Sequence, residues 1–254
     1  MRLARGGEQA GADWVAVEEP LEIRVRGVPI AVLLRSPGRE ADLVAGFLAA
    51  ERVIAHAEDL AAVEACVDPE TGAAARNVWN AALAEGVAFD PRARRFSAVS
   101  SACSLCGTAT LSELEREVPP LPPPPPLDPS WLDAAYRLLR AQQKVFERTG
   151  GVHAAALVRP DGSLLDAAED VGRHNAVDKV LGARLRAGDY PMRQPAVLLL
   201  SGRVAFELAQ KAALAAVPAL AGVGAPTSLA VEAARRFGLA LYGLVRPDSA
   251  NRYA

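Results

Sequence analysis

Leu21 to Val25 and Val28 to Leu34 alternate apolar and polar side chains on either side of Arg26-Gly27, the period-two pattern of a hairpin with one buried face. Ser36-Pro37-Gly38 turns the chain. Ala41 to Glu51 then changes to helical spacing through Leu43, Phe47 and Leu48, with Glu40 and Asp42 in the first turn, where the helix dipole favours negative charge. Residues 63–68, 76–81 and 85–99 read as short strands, with turns at Asp68-Pro69 and Glu85-Gly86. Residues 100–107 are small and polar and read as a loop, and a short helix is expected from Thr108. Residues 1–16 mix glycine, alanine and charge without a period and are expected to form a loose arm.

Pro119 to Pro126 holds seven prolines in eight residues. Proline fixes φ and lacks a donor, so this stretch reads as an extended, stiff connector. It divides the chain into residues 1–118, a connector at 119–128, and residues 129–254.

Beyond the connector the periods sharpen. Asp128-Pro129-Ser130 opens a helix with Trp131, Leu132, Ala135, Leu138, Leu139 and Phe146 at apolar positions, closed by Gly150-Gly151. Strands at Val152–Val158 and Leu164–Ala168 flank the turn Arg159-Pro160-Asp161-Gly162. A helix (Asn175–Arg186), a buried strand (Ala196–Leu200) and a second helix (Val204–Ala216) come next. A strand (Ala219–Val223), a helix (Ser228–Phe237) and a strand (Leu239–Val245) complete the series. A hairpin feeding strand–helix alternation predicts a mixed sheet with helices on both faces. The fold class expected is therefore α/β, a three-layer C-terminal domain behind a smaller, β-rich α+β N-terminal domain.

Charge and composition narrow the partners. The 28 basic and 30 acidic residues nearly cancel, so no general field draws nucleic acid or an anionic membrane. Few aromatic residues argue against a base-stacking surface. The longest apolar runs, such as Ala196–Leu200, are too short to span a membrane, and the first residues lack a signal-peptide core. The chain reads as a soluble cytoplasmic protein. Three cysteines fit a reducing compartment, and Cys66 reads as structural or incidental.

Three predicted loops fall where strands of such a sheet end and helices begin. They are Glu169 to Asn175, Ser201-Gly202-Arg203, and Gly222 to Ser228. Ligands collect at that edge, and free N–H groups at helix starts receive anions there. Arg173 and Arg203 add planar, permanently charged forks, so the set points to a phosphate-bearing ligand, a nucleotide by preference. Plainer roles compete: Arg203 can pair with Glu207, His174 with Asp178, and Thr227 or Ser228 can cap a helix. Neither an NTPase phosphate loop nor a dinucleotide fingerprint is present.

Cys103 and Cys106 form a Cys-x-x-Cys pair. Structural zinc needs four ligands, and only Cys66 and the scattered His56, His153 and His174 remain to supply the rest, so no metal is expected. A zinc deaminase would carry His-x-Glu, but Ala154-Ala155 follows His153. Sulfur relay needs an accessible thiolate with a second thiol close by, and Ser100, Ser101, Ser104 and Gly107 provide adaptable neighbours. Two incidental thiols on a loop remain the bland alternative.

The run Glu169-Asp170-Val171-Gly172-Arg173-His174-Asn175-Ala176-Val177-Asp178-Lys179 resembles the signature of the FdhD family, the formate dehydrogenase accessory sulfurtransferases. The resemblance extends in order through Glu18 to Leu21, Arg35 to Gly38, Gly46 to Leu48, Ser100 to Gly107, Thr149 to Ala155, Ser201 to Arg203 and Ala225 to Ala230. It implies that Cys103, with Cys106 as its partner, takes sulfur from a cysteine desulfurase as a persulfide. The acceptor implied is the molybdenum bis(molybdopterin guanine dinucleotide) cofactor, destined for formate dehydrogenase; a GDP-like nucleotide would mimic it. The residues expected to hold it are Arg173, His174, Asn175, Ser201, Gly202, Arg203, Ala225, Thr227 and Ser228, with the segment Leu244, Val245, Arg246, Pro247, Asp248 and Ser249. The resemblance also implies a cytidine-deaminase-like C-terminal domain and a homodimer. This chain has Ser104 where the family commonly has the first glycine of Cys-Gly-x-Cys-Gly, and Glu51-Arg52 where Glu-Gly is usual; the proline run is a local insertion. A chaperone that escorts the cofactor without carrying sulfur is the alternative reading, and a deaminase-like hydrolase a third.

Overall fold

The computed structural model describes residues 2–4, 7–9, 11–68, 70–91 and 117–254. Strands β3 (Glu19–Val25) and β4 (Val28–Arg35) form the hairpin that the alternation predicts, and Leu21, Ile23 and Val25 are fully buried on its inner face. Helix α1 (Glu40–Ala50) follows, then β5 (Leu60–Val67) and β6 (Ala74–Leu83). These strands make a mixed sheet in the order β4-β3-β6-β5, with β3 parallel to β6 and the other pairs antiparallel.

After the proline run come α2 (Pro129–Gln142), α3 (Lys144–Thr149), β7 (His153–Val158), β8 (Leu164–Asp170) and α4 (Arg173–Arg186). Then β9 (Val197–Leu200), α5 (Phe206–Leu214), β10 (Ala219–Gly222), α6 (Ser228–Phe237), β11 (Ala240–Arg246) and β12 (Ser249–Arg252) complete the chain. The second sheet is also mixed, in the order β12-β11-β10-β9-β7-β8. Leu132, Ala135 and Leu139 of α2 pack on one face, with Ala154, Ala156, Val197 and Leu199. Alternate residues, Ala155, Leu157, Leu198 and Leu200, face the other way into a core that holds α4, α5 and α6. Period-two burial thus yields three layers: α2, the sheet, and the three later helices.

That second core is continuous with the first sheet, since Leu21, Leu43 and Leu48 belong to it. The join is made backbone to backbone. A Cβ on Gly182 of α4 would stand 1.9 Å from the Asp42 carbonyl oxygen, and one on Gly46 of α1 would stand 2.0 Å from the Asp178 carbonyl oxygen. Only glycine lets α1 and α4 approach so closely.

Several expectations change. Residues 2–4 and 7–9 are not a loose arm but pair as antiparallel strands β1 (Arg2–Ala4) and β2 (Gly7–Gln9); a three-residue ladder satisfies its backbone without any hydrophobic period to announce it. The helix expected from Pro129 to Phe146 and beyond breaks at Gln143, where φ is −82° and ψ 61°. The Glu169 carboxylate takes the N–H groups of Val145 and Phe146, each at 2.8 Å, and so caps a new helix. Residues 85–91 form turns and irregular chain rather than a strand. The rest of that expected strand, the cysteine loop at 100–107 and the helix from Thr108 lie outside the described residues. Leu121 and Leu127, within and just after the proline run, rest on the two cores in turn.

Candidate functional site

Strands β9, β10 and β11 run parallel, so Leu200, Gly222 and Arg246 end on one edge of the sheet. Strand β7 runs against β9 and β8 against β7, which brings His153 and Asp170 to the same edge. The three glycine-containing loops therefore meet there. Gly224 N–H donates to the Gly202 carbonyl at 2.9 Å, and Val204 N–H to the Ala225 carbonyl at 3.3 Å. A Cβ on Gly224 would lie 2.7 Å from the Arg203 nitrogen, so the second and third loops pack main chain on main chain.

On the α2 side of this edge lies a cavity of about 620 Å³. Ser201, Val245, Arg246 and Pro247 line it, together with Tyr136, Arg137, Arg140, Phe146 and His153. Ser201 Oγ accepts from Ala154 N–H at 2.8 Å, which fixes the start of its loop. Arg246 Nη1 donates to the Val223 and Val245 carbonyls at 2.9 and 2.7 Å, tying the end of β11 to the loop after β10. The backbone bulges between Gly243 and Arg246, and Leu244 takes φ 52° there. Arg140 stacks over Phe146 at 4.9 Å, and the half-buried Tyr136 donates its hydroxyl to the Leu200 carbonyl at 3.2 Å. Burial pushes that phenol well above its ordinary range. A volume of this size, with aromatic walls and three guanidinium groups, suits an anionic ligand with a flat ring.

The other expected residues lie elsewhere. Arg173 and His174 occupy the first turn of α4, behind the N-cap Gly172 and on the opposite face of the sheet from α2. His174 Nε2 is 3.9 Å from Glu207, not paired with Asp178, because Asp178 is held by Lys211 Nζ at 2.5 and 2.6 Å. Burial, then the charges of Lys211, Arg173 and His153, push the His174 imidazole down to about 3. His153 is lowered by burial and by Arg173, with Asp170 opposing. Arg203 is exposed and makes no ion pair among the described residues. Thr227 Oγ1 accepts from Ala230 N–H at 3.3 Å as the cap of α6, and Ser228 is exposed at its first position. Asp248 and Ser249 are exposed at the turn into β12.

Asn175 has a different task. Its amide donates to the Leu34 carbonyl at 2.8 Å and to Asp170 Oδ1 at 3.0 Å. The fully buried Asp170 also accepts from Ser36 N–H and Gly172 N–H, and Lys179 Nζ lies 2.7 Å from its Oδ2. Lys179 in turn donates to the Ser36 carbonyl at 2.9 Å. Asp170, Asn175 and Lys179 thus knot the start of α4 to the end of the first hairpin, every charge compensated. Sequence reasoning missed Tyr136, Arg137, Arg140 and Phe146; the available signal was the pair of arginines three residues apart on one helix. Cys103 and Cys106 lie outside the described residues.

A mixed α/β sheet gathers its loops at one edge, and a cavity with three arginines in its lining lies beside them. Residues 16–254 match the model of the FdhD/NarQ family, and the chain belongs to that family. It is 49% identical to the sulfur carrier protein FdhD of Anaeromyxobacter dehalogenans strain 2CP-1, over 99% of this chain and 90% of that one. It is 44% identical to the sulfur carrier protein FdhD of Streptomyces avermitilis, over 100% of this chain and 92% of that one. The fold is similar to a crystal structure from Desulfotalea psychrophila, described as a candidate formate dehydrogenase accessory protein. The TM-score is 0.77 at 24% identity, covering 99% of this chain and 93% of that one. No helix among the described residues is long and apolar enough to cross a membrane.

Proposed function

We propose that this chain is a cytoplasmic sulfur carrier that serves formate dehydrogenase, with Cys103 as the carrier and Cys106 as its partner. The Cys103 thiolate attacks the terminal sulfur of a cysteine desulfurase persulfide. The donor's S–S bond breaks, a persulfide forms on Cys103, and the desulfurase cysteine leaves as thiolate. The acceptor in this reading is the molybdenum bis(molybdopterin guanine dinucleotide) cofactor, bound as substrate. Within a cytidine-deaminase-like three-layer domain, the cavity beneath α2 would take one nucleotide end, with Arg246 on its phosphates.

The observation that carries the reading is that cavity. It opens at the carboxyl edge of the sheet, has the volume of a nucleotide site, and is lined by Arg137, Arg140 and Arg246 in a chain with no net excess of positive charge. Membership of a family whose relatives are named sulfur carrier proteins supports the same conclusion. A homodimer belongs to this reading.

The experiment is reactivation of formate dehydrogenase in cells lacking their own carrier. Wild type restores activity and Cys103→Ala does not. Full activity with Cys103→Ala would leave a cofactor chaperone in place of a sulfur carrier.

A further inference from the structure

Two turns of the N-terminal domain put arginine where the backbone favours glycine. The β3–β4 hairpin closes through Arg26 and Gly27, since Val25 pairs with Val28. A two-residue turn that follows the twist of its strands needs positive φ at both positions, and asparagine, aspartate or glycine is usual at the first. Arg26 takes φ 51° and Gly27 79°. The same demand recurs at the end of α1. Arg52 N–H donates to the Ala49 carbonyl at 3.0 Å, and Val53 N–H to the Leu48 carbonyl at 2.8 Å. That crossed pair of bonds requires a left-handed residue, commonly glycine, and Arg52 holds φ 59°.

Neither backbone asks for an arginine, and a side chain there is strained. What the arginines add is their reach. Arg26 Nη2 donates to the Val87 carbonyl at 2.9 Å. Arg52 forms an ion pair with Glu117. Val87 and Glu117 flank residues 92–116, which contain Cys103 and Cys106 and lie outside the described residues. Beside these ties, Val87, Phe89, Val118 and Leu121 rest against the core. The chain is thus fastened on both sides of the cysteine pair, to the hairpin before it and to α1 after it.

We propose that Arg26 and Arg52 are positioning residues for sulfur transfer, fixing the two points between which Cys103 is carried. The assignment rests on the sulfur-carrier reading above. Anchoring both ends of a connection sets the effective concentration of whatever it carries at a second site on the same molecule. Loading of Cys103 by a desulfurase is an encounter between two proteins and is insensitive to the anchors. The steps after loading take place within one complex and depend on them.

Three readouts on the full chain test this: the sulfur adduct formed with a cysteine desulfurase and cysteine, reactivation of formate dehydrogenase in cells lacking their own carrier, and the melting temperature. Arg52→Gly and Glu117→Gln load as wild type does, yet reactivate about tenfold less. The double variant falls no further than either single one, because one pair is lost in each. Arg52→Lys, which keeps the charge, retains most activity. Arg26→Asn, suited to its turn, loads normally and reactivates less. Melting temperatures stay within a few degrees, since glycine suits the Arg52 backbone and the pair is partly exposed. Wild-type reactivation by Arg52→Gly and Glu117→Gln overturns the assignment. So does a loss of loading, or a loss of reactivation matched by a large fall in melting temperature, which marks the arginines as merely structural. Full reactivation by Cys103→Ala overturns the carrier reading itself, and the assignment with it.

Discussion

Replacing Gly182 with alanine tests whether the contact between α1 and α4 holds the two sheets together. The new Cβ would stand 1.9 Å from the Asp42 carbonyl oxygen, 2.6 Å from the Gly46 nitrogen and 2.8 Å from the Asp42 carbonyl carbon. Ordinary contact begins near 3.4 Å, and both obstacles are main chain, which no rotamer change can move. The helices must part by about 1.5 Å, a gap that forfeits more than half of the dispersion energy between facing atoms. Overpacking of this kind costs about 1–3 kcal/mol, here at the upper end. Alanine returns about 1 kcal/mol of helix propensity. The net loss is about 2 kcal/mol, or a fall in Tm of about 4–8 °C for a chain of this size. Thermal unfolding followed by circular dichroism reads it. Gly11→Ala, where nothing lies within 4 Å, serves as the control and leaves the Tm unchanged. A Gly182→Ala protein as stable as wild type would refute the backbone contact.

Lys179→Met leaves the fully buried Asp170 without its countercharge, so stability falls by about 3–5 kcal/mol in urea unfolding. Arg246→Gln weakens GDP binding by about tenfold or more in calorimetry while leaving the melting temperature within a few degrees, since the residue is exposed and its side chain ties only the Val223 and Val245 carbonyls. His174 is pushed down to about 3 in the folded chain from its ordinary 6.5. Between those values the unfolded chain binds the extra proton, so this contribution is complete above pH 6.5 and is lost as pH falls toward 3, by at most about 1.4 kcal/mol per pH unit. Urea midpoints measured from neutral pH downward fall less steeply for His174→Gln than for wild type.

Much of the layered fold was legible because its burial is periodic. The β3–β4 hairpin and α6 stand where the alternation and the cap at Thr227 place them. What escaped depends on contacts remote in sequence. The break at Gln143 exists because Glu169, more than twenty residues on, captures two amides. Strand β12 is polar and pairs only because β11 offers it an edge. The chemistry at Arg173, Asn175 and Lys179 was visible as a motif, yet Asn175 and Lys179 meet partners at Leu34 and Ser36, over 130 residues away. No local pattern separates such a knot from a ligand site. The cavity likewise belongs half to α2, a helix remote in sequence from the loops at the sheet edge. Arg52, where the resembling family has glycine, holds φ 59°, so the backbone need that glycine meets is retained here by a bulky residue.

The central claim is that Cys103 carries sulfur, and intact mass spectrometry tests it most directly. The full chain, Cys103→Ala and Cys106→Ala are each incubated with a cysteine desulfurase and cysteine. The account predicts a one-sulfur adduct on wild type that reductant removes and that Cys103→Ala lacks. An adduct retained in Cys103→Ala, or none on wild type, would contradict it.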